Sequence, residues 1–191
     1  RSKLGQAARH MVLTATSSTG ILNQAEMDAN PPANAVTRRS VAVGSDHAGF
    51  AMKEMLKSVL EQAGHSVTDL GAYSLESVDY PDFGAAVAAS VASGDVECGL
   101  VVCGSGIGIS IAANRNPGAR AALCHSGLEA QLARQHNDAN ILALGARIIG
   151  EEAAKDCLRA FLETEFEGGR HARRVAKLGT EIPATGTKAS S

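Results

Sequence analysis

The stretch GLVVCGSGIGISIAANRNPG, Gly99 to Gly118, decides the fold. It starts as a continuous apolar run and breaks at Cys103 into Gly104-Ser105-Gly106-Ile107-Gly108. It then resumes with apolar residues that suit a helix. A buried strand, a glycine-rich loop and a helix, in that order, bring backbone N–H groups close to an anion at the start of the helix, where the helix dipole also favours negative charge. What a cysteine does at the mouth of such a loop is the question the sequence raises.

The same alternation extends in both directions. SVAVGS (Ser40 to Ser45) is a short β-branched run, and FAMKEMLKSVLEQAG (Phe50 to Gly64) sets Met52, Met55, Leu56, Val59 and Leu60 at helical spacing before a glycine stop. SVTDLG then reads as strand, PDFGAAVAASVASG as helix, CGLVVC as strand, IGISIAANRN as a short helix and ARAALC as strand. SGLEAQLARQHN follows as helix, NILALG as strand and GEEAAKDCLRAFLETEF as helix. A last basic helix, RHARRVAKL, starts after EGG. Five β-α units with continuous apolar strands predict a parallel sheet covered on both faces. The expected class is α/β, a Rossmann-like three-layer α/β/α fold with a five-stranded parallel sheet and an additional C-terminal basic helix.

Composition bounds the function. The chain has 191 residues, 45% hydrophobic and 20% charged, enough for one core plus tails. A formal net charge of -2 and 3% aromatic residues, none of them Trp, argue against a nucleic-acid partner. No apolar run is long enough to span a bilayer, so a soluble, cytoplasmic protein with no membrane partner is expected. Cys98, Cys103, Cys124 and Cys157 form no C-x-x-C pair and read as reduced thiols rather than a disulfide frame or a zinc site. Residues 1–39 hold Arg1, Lys3 and Arg9 but no acid before Glu26, without a sustained apolar period. They read as a flexible extension, in composition an organelle transit segment or an expression remnant. The folded domain is expected over residues 40–178, and residues 179–191 form a second polar tail.

In a parallel sheet of this kind, ligands bind outside the carboxyl ends of the strands, where strand order reverses. Ser45-Asp46-His47-Ala48-Gly49 follows the first strand, and the Cys103 loop follows the third. The loop is not the dinucleotide fingerprint, because position 109 is Ile and that fingerprint normally follows the first strand. Each residue also has a plain reading. A strand-end cysteine usually packs, His47 suits an ordinary loop, His136 in RQHNDAN can end its helix, and GGRHARR suits a solvated basic face. Yet Arg170 and Arg174 stand four apart and share one side of a helix, as a phosphate clamp would.

Taken together, GSDHAGF, DYPDFG, CGSGIGISIAAN, ARQHNDANILALGAR and EGGRHARRV resemble the ribose-5-phosphate isomerase B (RpiB/LacAB) family of sugar-phosphate isomerases, in order and over roughly Val41 to Leu178. The resemblance implies an aldose-ketose isomerase that interconverts D-ribose 5-phosphate and D-ribulose 5-phosphate through a cis-enediolate, in pentose phosphate metabolism, with no metal and no cofactor. It makes Cys103 the base that moves a proton between C1 and C2, of the cysteine type, since position 109 is Ile where other members carry a glutamate. A thiol can serve so only as the thiolate, a form that the start of a helix favours.

By the same resemblance Ser105 helps protons move between the sugar oxygens, and the N–H groups of Gly104, Ser105, Gly106, Ile107 and Gly108 stabilise the enediolate. His136 opens the furanose ring, Asp46 and His47 hold sugar and phosphate, Asn137 touches the sugar, and Arg147, Arg170 and Arg174 surround the substrate. Alternatives are an isomerase of galactose, allose or tetrulose phosphates, and a non-catalytic module that binds a phosphorylated ligand. Cys103 with His136 favours the enzyme, since a binding module needs neither a base nor a ring-opening histidine.

Geometry adds an expectation about assembly. Cys103 ends the third strand, whereas His136 ends a helix that runs back towards the start of the fifth. The two should therefore lie at opposite edges of the sheet, separated by roughly 16 Å for a strand of about five residues. A homodimer, or a dimer of dimers, in which two copies share each site resolves the difficulty.

Overall fold

The computed structural model describes residues 37–179. The expectations for the N-terminal extension and the C-terminal tail fall almost wholly outside the described residues.

Among the described residues, five strands form one parallel sheet: β1 (Ser40–Ser45), β2 (Ser66–Asp69), β3 (Cys98–Cys103), β4 (Ala121–Leu123) and β5 (Ile141–Gly145), in the order β2-β1-β3-β5-β4. Six helices of the described residues join and follow them: α1 (Phe50–Gln62), α2 (Tyr80–Ser93), α3 (Ile107–Ala113), α4 (Gly127–Asn137), α5 (Glu151–Glu163) and α6 (Gly169–Val175). Right-handed crossovers place α1, α4 and α5 on one face and α2 and α3 on the other. This is the three-layer α/β/α arrangement, with α6 as the added C-terminal helix.

The period-2 geometry of the strands divides the core in two. Val41, Val43, Leu100, Val102, Leu142 and Leu144 meet Leu56, Leu60, Ala130, Leu158 and Phe161 on one face. Ala42, Val101, Ile141 and Ala143 meet Val87, Ala88, Val91, Ile109 and Ala113 on the other. Each fully buried Leu or Ile among them contributes about 1.5–3 kcal/mol by leaving water. In α1, Met52, Leu56 and Leu60 recur every fourth residue and bury together, which turns this stretch into an amphipathic helix.

Several boundaries differ from the sequence reading by a few residues, three of them for a local reason. The third helix ends at Ala113, because the Asn114 amide pairs with the backbone of Ala121 through both Nδ2 and Oδ1 (2.8 Å each) and ties the chain to the sheet edge. The fourth strand starts only at Ala121, since the Arg120 N–H turns to Asn140 Oδ1 at 2.7 Å. The fifth helix stops at Glu163, where Arg39 Nε donates to Leu162 O (3.1 Å) and Arg134 Nε to Thr164 O (3.2 Å), taking carbonyls that a longer helix would use. The last helix begins one residue earlier than expected and ends at Val175.

The connection from β1 leaves towards β2 and that from β3 leaves the opposite way. The topological switch point therefore lies at the carboxyl ends of β1 and β3.

Candidate active site

At that switch point the chain gathers Asp46, His47, the Cys103 loop and Arg147. The N–H of Asp46 donates to Val102 O at 3.2 Å, and its Oδ1 accepts the N–H of Gly49 at 2.8 Å, fixing the entry to α1. The His47 ring is held by the loop before α2, with the Val78 N–H donating to Nδ1 at 3.2 Å. Cys103 ends β3 only 4% exposed, and the N–H of Gly106 donates to its Sγ at 3.1 Å. Gly106 has φ +77, and a Cβ there would come within 2.8 Å of the Leu144 carbonyl carbon, so the turn that aims this N–H at sulfur requires glycine. Ser105 Oγ accepts the N–H of Ile107 at 3.3 Å. Two of the five loop N–H groups thus point at side chains of the loop itself. The loops after β3 and β5 are tied by Ala146 N–H to Cys103 O and Arg147 N–H to Gly104 O, both 2.9 Å, which brings the Arg147 guanidinium against Gly104.

Sequence reasoning left Tyr80 without a role, although it quoted DYPDFG. The Tyr80 ring sits over the same loop, so close that a Cβ on Gly108 would meet Cζ at 2.6 Å. A second unforeseen support is Lys53, whose side chain is fully buried. Its Nζ donates to Asp69 Oδ1 and to Ala72 O, both 2.8 Å, anchoring the segment that carries Val78.

The remaining candidates lie at the other edge of the sheet. Helix α4 starts on a capping box in which Ser126 Oγ accepts the Glu129 N–H (3.3 Å) and Glu129 Oε2 accepts the Ser126 N–H (3.1 Å). It ends at Asp138, a non-glycine residue at φ +46 whose carboxylate pairs with Arg120 at 2.8 Å and Arg134 at 3.3 Å. This stop places His136 and Asn137 beside the start of β5, whose neighbour Asn140 accepts the N–H of Gly99 near the start of β3. Asn137 lines a cleft of about 360 Å³ with Asn114, Arg120 and Leu178. The pair Gly168 and Gly169, both at positive φ, turns the chain into α6, and the Glu167 N–H donates to Gln135 O at 3.1 Å.

Arg170 and Arg174 are therefore exposed on a helix next to His136. The His136 ring stacks on His171 with centroids 4.4 Å apart and planes 1° from parallel. His171 is buried, and desolvation, His136 and Arg170 hold its imidazole below the usual range. Sequence reasoning missed His171 and Glu167, although both belong to the EGGRHARR run in which only the arginines were singled out.

The structure thus joins Asp46, His47, Cys103, Gly104 to Gly108 and Arg147 in one group, and His136, Asn137, Arg170 and Arg174 in another. It does not bring the two groups together within one chain. A sheet of strands such as the six-residue β3 separates its edges by about 20 Å.

Comparison with known proteins bears on this arrangement. The model of the family described as Ribose/Galactose Isomerase matches residues 41–178. Ribose-5-phosphate isomerase B of Escherichia coli (strain K12) is 47% identical over 137 residues, covering 72% of this chain and 92% of that protein. D-erythrulose-4-phosphate isomerase of Pectobacterium atrosepticum is 43% identical over 144 residues, covering 73% and 93%. A solved structure of ribose-5-phosphate isomerase B from Clostridium thermocellum superposes with a TM-score of 0.73 at 51% identity, covering 73% of this chain and 95% of that one. Among the described residues no helix is long and apolar enough to cross a membrane.

Proposed function

The chain belongs to the ribose/galactose isomerase family of sugar-phosphate isomerases, and on that premise we propose that it interconverts D-ribose 5-phosphate and D-ribulose 5-phosphate. Cys103, as thiolate, takes the C2 proton of the open-chain aldose and returns it to C1, through a cis-enediolate. Ser105 relays the hydroxyl proton between O1 and O2, and the loop N–H groups stabilise the negative charge that develops there. His136 opens the furanose by moving a proton between the ring oxygen and the anomeric hydroxyl. Asp46 and Asn137 hold sugar hydroxyls, while His47, Arg147, Arg170 and Arg174 take the phosphate, for which guanidinium forks are suited.

The observation that carries this reading is the placement of Cys103 Sγ at the β1/β3 switch point, with the Gly106 N–H on it at 3.1 Å. That contact fixes the sulfur at the mouth of the glycine loop, at the edge of the sheet where this fold binds ligands.

A complete site needs His136 from a second copy, in a homodimer or a dimer of dimers with two-fold symmetry. The separation of the two residue groups supports this. So do the exposed apolar pairs Ile107 and Ile111 on α3 and Leu128 and Leu132 on α4, each one turn apart.

The tetrulose-phosphate relative keeps a second substrate in view. Initial rates across tetrose, pentose and hexose phosphates decide between them. The highest kcat/KM is expected for the ribose 5-phosphate pair, and a preference for a four-carbon or six-carbon phosphate would replace it.

A further inference from the structure

Helix α6 exposes Arg170, Arg173 and Arg174 and buries a single side chain, that of His171. A lone buried residue on a helix otherwise turned to solvent is usually apolar. Here it is an imidazole, and what it meets is a second imidazole. The His171 ring lies against that of His136, with centroids 4.4 Å apart and planes 1° from parallel. Both Nε2 atoms face one oxygen, Glu167 Oε2, at 4.0 Å from His136 and 3.8 Å from His171, so the rings are stacked in register. The edge of His171 is held in turn by Arg170, whose Nε donates to His171 Nε2 at 3.2 Å. The backbone fixes the pair in place. The Glu167 N–H donates to Gln135 O at 3.1 Å and the His171 N–H to Gly168 O at 2.9 Å, which ties the start of α6 to the end of α4.

His136 needs such a support. Its side chain is 36% exposed on the last turn of α4, and among the described residues no hydrogen bond holds its ring. Left alone, an imidazole there turns about χ1 and over the broad wells of χ2. Proton transfer needs a heavy-atom separation of about 2.6–3.2 Å, and a misplacement of about 1 Å can cost about a hundredfold in rate. A ring laid flat on a buried partner gives up that freedom before substrate arrives.

We propose that His171 is a positioning residue for ring opening: its buried ring is the plate that holds the His136 imidazole in the plane from which it moves the proton. The inference rests on the ring-opening role assigned to His136 above. His171 itself moves no proton and touches no reacting atom.

The test compares two substrates on the full chain. Ribose 5-phosphate is a furanose closed through O4. In 4-deoxyribose 5-phosphate O4 is missing and O5 is esterified, so this aldose of the same length and phosphate is permanently open. In His171→Ala, kcat for ribose 5-phosphate should fall at least about tenfold. For the open analogue it should stay within about threefold of wild type. The ratio of the two rates does not depend on how much of the variant is folded. His171→Phe, which keeps a flat ring to stack on, should return turnover of ribose 5-phosphate to within about threefold of wild type. A loss shared by both substrates in His171→Ala, no loss with either, or a phenylalanine as damaging as the alanine overturns the inference. His136→Ala separates it from the reading beneath it. That variant should show the same split between substrates, and its absence there would overturn the role of His136 itself. A split in His136→Ala with none in His171→Ala would overturn the positioning role alone.

Discussion

Gly106 and Cys103 are joined by a hydrogen bond in which the glycine N–H donates to sulfur at 3.1 Å, inside the loop that links β3 to α3. In the other three cysteines burial dominates. Burial pushes the Cys98 thiol up to about 11, Cys124 to about 12 and Cys157 to about 11. At neutral pH these three stay protonated and unreactive. Iodoacetamide at neutral pH should therefore alkylate Cys103 alone, in step with loss of activity, and ribose 5-phosphate should protect it. Peptide mapping checks this, and inactivation that tracks labelling of Cys98, Cys124 or Cys157 would speak against it.

Asp69 should govern acid stability. Burial acts to raise its carboxyl, but hydrogen bonds from Lys53, Lys57 and the Gly71 N–H outweigh this and hold it below the usual carboxylate range. With the folded value below the unfolded one, the stabilisation is complete above the unfolded value of about 3.9 and is lost as pH falls through the folded value. Asp69→Asn should cost about 3 kcal/mol at pH 7, the low end for breaking a buried pair, because Lys53 keeps Glu54 at 2.9 Å. Urea unfolding at several pH values should also show a flatter acid limb for the variant. An unchanged midpoint would mean that Lys53 is already satisfied without Asp69.

Arg170→Ala and Arg174→Ala should weaken phosphorylated sugars far more than free ones. A charge-assisted hydrogen bond contributes about 1.5–3 kcal/mol, so each loss should raise KM for ribose 5-phosphate by about 10–100-fold. Equal effects on ribose and ribose 5-phosphate would return both arginines to a solvated basic face.

The strands were legible because β1, β3 and β5 are unbroken apolar runs, and the glycine loop was legible because its spacing is local. The order β2-β1-β3-β5-β4 was not, since two neighbouring strands exchange places without any change in their own residues. Buried Lys53 hid for a similar reason: lysines usually face water, and its partner Asp69 stands 16 residues away. Glu167 and His171 escaped because what gives them meaning is His136, which only the turn through Gly168 and Gly169 brings beside them. The edge of the sheet at which His136 lies could be read from the direction of its helix alone.

Shared sites predict complementation. When Cys103→Ala and His136→Ala are refolded together in equal amounts, about half of the dimers should be hybrids with one intact site, recovering about a quarter of wild-type activity. Hybrid dimers that form but stay inactive would place both residues in the service of one chain.

The central claim is that Cys103 is the base, and the direct measurement is the turnover of ribose 5-phosphate by Cys103→Ala alongside its binding. General-base loss costs about 10²–10⁴-fold, so kcat should fall by at least about a hundredfold. The dissociation constant for ribose 5-phosphate should meanwhile stay within about threefold, because the phosphate contacts lie elsewhere. A variant that binds the sugar phosphate and still turns it over near the wild-type rate would contradict the account.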